Sequence, residues 1–348
     1  MTAKKFNNVI LILICCLQLL SCKAKPTEYH DNVLAFGTII EVSLVNVPSE
    51  QTERVMKKIR ADFKYFHYAF HPFHAGPTGR INSLLAATGE FTSNPSLIPI
   101  IKKSKLYSQQ SQGLFNPAVG KLIKLWGYHE ELSSQGPAPG DKAIKNLVSQ
   151  NPSMQTITIH GVRMNNTNPA VKLDFGGIAK GYALDVILDQ LKDMGVHNAS
   201  INTGGDLKVI GLGPNGPWNI GIRDPRGEGV IASINAHDGE AVFTSGDYER
   251  FFIDSGKRYH HILDPRTGYP AQNSQSVTVV HDDAALADAA ATALFIAGPT
   301  SWLAIAKTMN IQQAMLIDRN GKIHVTEALN KRIRFRKSDL EISVVSIP

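Results

Sequence analysis

A glycine-rich turn between an apolar strand and an amphipathic helix occupies residues 173–185, which read LDFGGIAKGYALD. Apolar residues at helical spacing follow the turn, and Gly195 stands where a left-handed residue commonly ends a helix. Glycines let backbone amides approach a ligand closely, and a helix N-terminus with Lys180 beside it attracts phosphate. The alternative is a tight turn that only packs, so the other motifs of the chain must decide between the two.

A second chemical motif lies on a helix predicted over residues 283–297, where Asp288 and Thr292 are four positions apart. Residues at this spacing share one helix face. A carboxylate and a hydroxyl supply hard oxygen ligands suited to Mg²⁺. The same pair often decorates a protein surface. Here, however, the remainder of the helix is almost wholly apolar, so a carboxylate must be paired, hydrated or bound to a metal ion.

Two adjacent histidines, His260 and His261, precede a turn predicted over residues 264–268. On a strand they would point to opposite faces, which argues against a shared metal site. One of them can therefore face a site as a general base. The alternative is a structural histidine whose ring is held by hydrogen bonds.

The N-terminal segment predicts export. Two lysines precede a short apolar run that ends at Ser21 and Cys22, a pattern typical of a secretory signal. Cleavage before Cys22 resembles the processing of a bacterial lipoprotein, in which this cysteine carries the lipid. The alternatives are an ordinary signal peptide and an uncleaved anchor. On the lipoprotein interpretation, residues 1–21 are the signal, residues 22–32 a tether and residues 33–348 the functional domain.

The cysteine positions and the net charge exclude several kinds of site and partner. All three cysteines, at positions 15, 16 and 22, lie in or directly after the signal. A mature chain that starts at Cys22 therefore has no internal disulfide and no thiolate metal site. The formal net charge is +6, and removal of the two signal lysines leaves +4. No basic stripe is interleaved with aromatic residues, so nucleic acid is not an expected partner.

The order of predicted elements favours an α+β fold rather than a doubly wound sheet, because helices and strands are mixed without strict alternation. Ser49 is the predicted cap of a first helix, residues 71–80 are a predicted loop, and a further helix is expected over residues 98–107. Strands are predicted at 33–45 with a break at 36–38, and at 156–160, 200–202, 207–211, 218–222, 230–236, 241–244, 259–263 and 276–281.

Seven motifs occur in the order found in one known family. They are Phe36-Gly37-Thr38, residues 115–120 with 125–127, residues 173–185, Asn202-Thr203-Gly204-Gly205-Asp206, Thr244-Ser245-Gly246-Asp247-Tyr248, residues 261–270 and residues 288–292. From about residue 33 to about residue 325, the chain resembles the ApbE-like FAD:protein FMN transferases. Members of this family split FAD, attach FMN to a threonine or serine hydroxyl of a target protein and release AMP.

The resemblance implies a single two-lobed α+β unit with mixed or antiparallel sheets and flanking helices. It also implies a magnesium-dependent enzyme with FAD as substrate, and acceptor flavoprotein subunits or domains as partners. With the signal, it implies a periplasm-facing membrane lipoprotein of the bacterial cell envelope, attached through Cys22. Two alternatives share the same site: a Mg²⁺-dependent FAD pyrophosphatase with water as acceptor, and a non-catalytic lipoprotein that binds FAD. Storage needs no metal ion, so the Asp288/Thr292 pair and His261 argue against the second.

Roles for individual residues follow from the resemblance. His261 would assist catalysis, and Asp288, Thr292 and the carbonyl of Gly177 would bind the metal ion. Asn116 stands where the family commonly has aspartate, so it retains hydrogen bonding without the charge. The residues implied in FAD binding are Phe36, Phe73, Leu114, Phe115, Asn116, Asp174, Lys180 and Leu263.

Lipid attachment provides a direct test of the predicted signal. The Cys22→Ala variant should lose its lipid, and the protein should be released from the membrane or keep its signal uncleaved. Fractionation with mass spectrometry of the N-terminus measures both outcomes. Normal membrane attachment of the variant with an N-terminus processed elsewhere would refute the lipoprotein interpretation.

Overall fold

The computed structural model describes residues 25–128 and 136–347. The predicted signal over residues 1–21 and the predicted lipid site at Cys22 lie outside the described residues. The described part of the chain therefore begins at Lys25, within the predicted tether.

Strands and helices are mixed along the chain. The strands are β1 (Glu28–Ala35), β2 (Thr38–Val45), β3 (Gly89–Thr92), β4 (Ile157–His160), β5 (Arg163–Asn166), β6 (Ala199–Thr203), β7 (Leu207–Ile210), β8 (Trp218–Arg223), β9 (Val230–Ala236), β10 (Ala241–Gly246), β11 (Phe251–Asp254), β12 (Lys257–His260), β13 (Ser274–His281), β14 (Gln313–Asp318), β15 (Ile323–Thr326), β16 (Arg334–Phe335) and β17 (Ile342–Val345). The helices are α1 (Ser49–Phe70), α2 (Pro77–Ala87), α3 (Ile98–Gln110), α4 (Gly120–Leu125), α5 (Asp141–Ser149), α6 (Ala179–Asp193), α7 (Ala284–Thr308) and α8 (Glu327–Asn330), with 3₁₀ turns at Pro95–Leu97 and Met154–Thr156.

A nine-stranded sheet in the order β1-β2-β6-β7-β10-β13-β14-β15-β17 organises the fold. Its neighbouring strands are antiparallel except β15 and β17, which are parallel. Smaller sheets have the orders β16-β9-β8, β3-β5-β4 and β11-β12. The α+β class predicted from the sequence is therefore confirmed.

The large sheet separates two apolar cores. Strand β10 shows the alternation, because Ala241 and Phe243 are buried in the core that includes the helices, whereas Val242 is buried against the β16-β9-β8 sheet. Helix α7 packs on β10 and β13, and α6 and α3 pack on α7. By length and composition α7 resembles a membrane span, but it is mostly buried inside the protein and forms the centre of the helical layer.

Helices α6 and α7 meet at their N-terminal turns. A Cβ added to Gly181 would lie 2.2 Å from the carbonyl oxygen of Ala284, so only glycine permits this approach. Asp185 on α6 accepts hydrogen bonds from the amides of Ala284 and Ala285 at 2.9 and 3.0 Å. These bonds satisfy amides that the start of α7 leaves without helical partners. The contact fixes the start of α7 relative to the glycine-rich turn.

Several predicted boundaries are wrong. Ser49 is the first residue of α1 and does not cap it, since the cap position is Pro48 and no side-chain capping bond is present. The loop predicted over residues 71–80 ends earlier, because Pro77 begins α2, and proline is favoured at the first helical position. The tether predicted over residues 22–32 is also shorter, because β1 begins at Glu28 and pairs with β2.

The strand predicted over residues 259–263 ends at His260. Beyond it the chain turns, with an isolated bridge between Leu263 and Pro270. The turn is closed by a hydrogen bond from the amide of Gly268 to the carbonyl of Asp264 at 2.8 Å. The predicted end of the helix that follows the glycine-rich turn is confirmed, because Gly195 comes after α6 with a φ of +81°.

The contact between α6 and α7 is testable by a single methyl group. In Gly181→Ala the added carbon meets backbone atoms of Ala284 and Ala285, so the helices must separate. We expect a loss of about 1–3 kcal/mol in the free energy of unfolding, measured by urea denaturation. Gly140→Ala is the matched control, since nothing lies within 4 Å of its added carbon and its φ of −68° suits alanine. Equal stability of the two variants would contradict the close contact.

Candidate active site

A cavity of about 650 Å³ gathers the chemical motifs of the sequence. Its walls come from the β1–β2 turn, the segment after α1, the loop before α4, the start of α6, the β6–β7 turn, the segment after β10 and the first turns of α7. All twelve predicted site residues line it: Phe36, Phe73, Leu114, Phe115, Asn116, Asp174, Gly177, Lys180, His261, Leu263, Asp288 and Thr292. Segments that are more than 250 residues apart in the sequence thus share one enclosed space.

Charged groups concentrate at the N-terminus of α6. The ammonium of Lys180 pairs with the carboxylate of Asp206, whose other oxygen accepts a hydrogen bond from the amide of Thr244 at 2.9 Å. Burial by itself would lower the pKa of Lys180, but the carboxylates of Asp206 and Asp288 outweigh burial and raise it. Lys180 is therefore a fixed cation beside the glycine-rich turn.

Asp288 is a buried carboxylate of the cavity. Burial raises its pKa to about 7, and the nearby charge of Asp206 adds to the effect. One oxygen accepts a hydrogen bond from the amide of Gly181 at 3.1 Å, and the side chain is 6% exposed. Because Lys180 is already paired with Asp206, Asp288 has no cation of its own among the described residues. A bound cation would favour its ionised form.

Oxygen donors lie next to this carboxylate. A Cβ added to Gly177 would lie 3.1 Å from the hydroxyl of Thr292, and this hydroxyl is 3.4 Å from that of Ser245. Within residues 25–128 and 136–347, no cluster of three or more His, Cys, Asp or Glu side chains has metal-binding geometry. The residues present therefore fit a hard cation such as Mg²⁺, held by one carboxylate and several neutral oxygens, rather than a transition metal on nitrogen or sulfur ligands.

The two histidines face different surroundings, as predicted. His260 is buried, and its Nε2 lies 2.6 Å from the carbonyl oxygen of Ala271, while its Nδ1 accepts from the amide of Ile262 at 3.3 Å. His261 lines the cavity, with Nδ1 3.2 Å from the carbonyl oxygen of Arg250. Burial lowers the pKa of His261 well below its usual range, and the charge of Arg250 adds to this. His261 is therefore neutral at pH 7.

The ring orientation of His261 assigns its tautomer. A carbonyl oxygen only accepts hydrogen bonds, so Nδ1 carries the hydrogen and Nε2 retains its lone pair. A neutral imidazole with a free Nε2 in a cavity can accept a proton from a hydroxyl.

Two aromatic rings flank the cavity mouth. Phe36 and Gly37 form the two-residue turn between β1 and β2 with φ of +53° and +69°, which matches the primed turn that hairpins favour. A positive φ is uncommon for an aromatic residue, so the hairpin register holds Phe36 in place. The ammonium of Lys172 lies 4.8 Å from the ring centre of Phe73. Both rings expose area on which a planar ligand can pack.

The remaining predicted residues mainly support the walls. Leu114, Phe115 and Leu263 are buried and present only part of their surface to the cavity. Asn116 donates to the carbonyl of Pro152 at 2.9 Å and accepts from the amide of Ala118 at 3.1 Å, so its amide orders the loop. Asp174 accepts from the amide of Gly176 at 2.8 Å. Burial raises the pKa of Asp174, while this hydrogen bond and the charge of Arg250 oppose the rise.

Two residues of the cavity were missed as site residues by sequence reasoning. Asp206 belongs to the motif at residues 202–206, but nothing in the sequence pairs it with Lys180. Arg250 places its guanidinium near Asp174 and its carbonyl against His261, and no local pattern marks it. A spacing argument finds neither residue, because both interactions cross between separate elements.

Comparison with known proteins identifies the family. The sequence profile described as the ApbE family matches residues 36–316. This chain belongs to the ApbE family. The family resemblance found in the sequence is thereby confirmed.

Individual relatives agree with this assignment. A protein of Rhodobacter capsulatus named FAD:protein FMN transferase is 35% identical over 93% of this chain and 62% of its own length. This chain thus spans less than two thirds of that protein. A Treponema pallidum protein of the same name is 26% identical over 94% of both chains. The crystal structure of an ApbE protein from Thermotoga maritima superposes with a TM-score of 0.79 at 31% identity, covering 90% of this chain and all of that one.

Asp288 predicts a pH dependence of stability. Its pKa is about 7 in the folded protein against 3.8 without the fold, so the folded form holds a proton that the unfolded chain releases. Without divalent cations, the melting temperature should therefore fall as the pH rises through this interval, and less so in Asp288→Asn. Added Mg²⁺ should raise the melting temperature of the wild type more at pH 8 than at pH 5, because protons compete for the carboxylate. If Mg²⁺ raises the melting temperatures of the wild type and of Asp288→Asn equally, Asp288 is excluded as a cation ligand.

Proposed function

We propose that this protein is an FAD:protein FMN transferase. It would transfer FMN from FAD to a threonine or serine hydroxyl of an acceptor protein and release AMP. The observation that carries the proposal is the meeting of all seven family motifs at one cavity. The names of the Rhodobacter and Treponema relatives and the match to the family profile support it.

The cavity has the chemistry that FAD requires. Phe36 and Phe73 provide ring surfaces for the planar flavin, and Leu263 provides an apolar wall. Lys180 and Arg250 place positive charge where a pyrophosphate can be bound. The N-terminus of α6 adds the partial positive charge of the helix dipole.

Mg²⁺ would be held by Asp288, Thr292 and the Gly177 carbonyl, and when bound it would neutralise negative charge on the pyrophosphate. The chain itself supplies the electrostatic frame around that position. Asp206 holds Lys180 in place, and Gly181 fixes one oxygen of Asp288. Side chains that are fixed before the substrate arrives need no reorganisation during the reaction.

His261 would activate the acceptor. Its Nε2 takes the hydroxyl proton while the hydroxyl oxygen forms a bond to the phosphorus of the FMN half. The bond between that phosphorus and the bridging oxygen breaks, and this oxygen leaves with AMP. The carbonyl of Arg250 keeps the Nδ1 hydrogen in place, so the proton is accepted at Nε2. The carbonyl also stabilises the imidazolium that forms.

Location is a separate part of the proposal and depends on the sequence alone. The signal over residues 1–21 and the cysteine that follows support a lipoprotein attached through Cys22 and facing the periplasm. Acceptors would then be exported domains or the exposed parts of membrane subunits.

The function is tested by incubating the protein with FAD, Mg²⁺ and an acceptor, followed by mass spectrometry of the acceptor and assay of AMP. A mass increase equal to FMN, with one AMP per modified acceptor, is the expected result. Release of FMN and AMP without modification of any acceptor would identify a pyrophosphatase instead. Binding of FAD without cleavage would identify a storage protein.

The role of His261 gives a sharper prediction. A general base contributes about 10²–10⁴-fold to a rate, so His261→Ala should transfer FMN at least about a hundredfold more slowly. Its FAD affinity should be nearly unchanged, since the ring contacts the acceptor hydroxyl rather than the cofactor. Single-turnover transfer and FAD binding by fluorescence measure the two quantities.

Two other histidines serve as comparisons. His160→Ala is the matched control, because His160 is exposed at the end of β4 and does not line the cavity. His260→Ala should lower the melting temperature, because the ring is buried with two hydrogen bonds. Undiminished transfer by His261→Ala would end the catalytic assignment.

A further inference from the structure

A second cavity of about 870 Å³ adjoins the flavin cavity. The two share the wall residues Pro72 and Phe73, so they lie side by side along the segment that follows α1. This second cavity, here called the α2 groove, is lined by Tyr68, Pro72, Phe73, His74, Ala75, Gly76, Pro77, Gly79, Arg80, Asn82, Ser83, Ala86, Asn94, Lys121, Val171 and Lys172. Its floor combines apolar surface with polar edges, as in a site for a peptide segment rather than for a small ion.

The charge of the α2 groove has one sign. Arg80, Lys121 and Lys172 line it, and within the described part of the chain no aspartate or glutamate does. Burial lowers the pKa of Lys172, and the charges of Lys124 and Lys121 add to this, while the carboxylate of Asp174 opposes it. Like charges held together in a groove raise the local potential and attract anions.

The start of α2 adds to this potential. Its cap residue, Gly76, has no side chain, and the first turn contains no acidic residue. Gly76, Pro77 and Gly79 all line the groove. The partial positive charge of this helix end is therefore not neutralised from within the helix, and it faces the same space as the three cations.

We propose that the α2 groove docks an acidic segment of the acceptor protein. The proposal rests on the transferase function, since it names the partner of the same site. Carboxylates of the segment would pair with Arg80, Lys121 and Lys172, and its apolar side chains would pack on Phe73 and Pro77. Because Pro72 and Phe73 belong to the walls of both cavities, a segment docked in the groove would hold an adjoining hydroxyl beside the flavin cavity.

The test compares two fluorescein-labelled peptides, each with a single threonine, one flanked by aspartates and the other by asparagines. Fluorescence anisotropy measures their binding to the FAD-loaded full chain. The wild type should bind the aspartate peptide at least about tenfold more tightly than the asparagine peptide. The preference should weaken as salt is raised, because exposed charges are screened.

Variants locate the effect in the groove. Arg80→Glu/Lys121→Glu should lose the preference for the aspartate peptide, and Arg80→Lys/Lys121→Arg should keep it. Lys307→Glu/Lys331→Glu is the matched control, because it makes the same change in charge at exposed lysines that line neither cavity. Circular dichroism verifies that each variant is folded.

The outcomes separate this inference from the proposed function. Equal binding of the two peptides by the wild type, or an unchanged preference in Arg80→Glu/Lys121→Glu, overturns the docking site. Loss of FAD affinity in Arg80→Glu/Lys121→Glu would also overturn it, since the groove would then belong to the cofactor site. Transfer of FMN to either peptide tests the enzyme function by itself, and its failure leaves the binding comparison in force.

Discussion

The contact between the first turns of α6 and α7 is the constraint on which the site depends. Gly181 lets the two backbones approach, Asp185 binds the amides that start α7, and Lys208 pairs with Asp185 at 2.7 Å. The same contact brings the glycine-rich turn of one helix against Asp288 and Thr292 of the other. The glycine-rich turn, the carboxylate of Asp288 and the hydroxyl of Thr292 are therefore held together by one packing interaction, and none of them can shift without the others.

The charges of the cavity form an incomplete set. Lys180 compensates Asp206, whereas Asp288 stays buried with a pKa of about 7. The described part of the protein thus holds a buried carboxyl group that is costly to ionise. The same burial and the charge of Arg250 keep His261 neutral. Burial in the same cavity thus contributes both to the raised pKa of Asp288 and to the neutral state of the His261 imidazole.

Two neighbouring cavities divide the recognition of substrates. The flavin cavity combines aromatic rings, hydroxyls and charged groups of both signs, which suits a cofactor. The α2 groove is shallower and carries uncompensated positive charge, which suits a flexible acidic segment. The small net charge of the chain conceals this difference, because it averages over surfaces that face different partners.

The sequence by itself determined the family, the α+β class and all the cavity-lining residues assigned from family motifs, because each motif is a short contiguous pattern. It also indicated that His260 and His261 have different surroundings, but the strand ends at His260, so alternation along a strand is not the reason. Tertiary structure alone decided the Lys180–Asp206 pair, the carbonyl of Arg250 against His261, the cap of α7 by Asp185 and the cationic groove beside Phe73. Each of these joins residues from different elements, and periodicity within one element carries no information about which element will pack beside it.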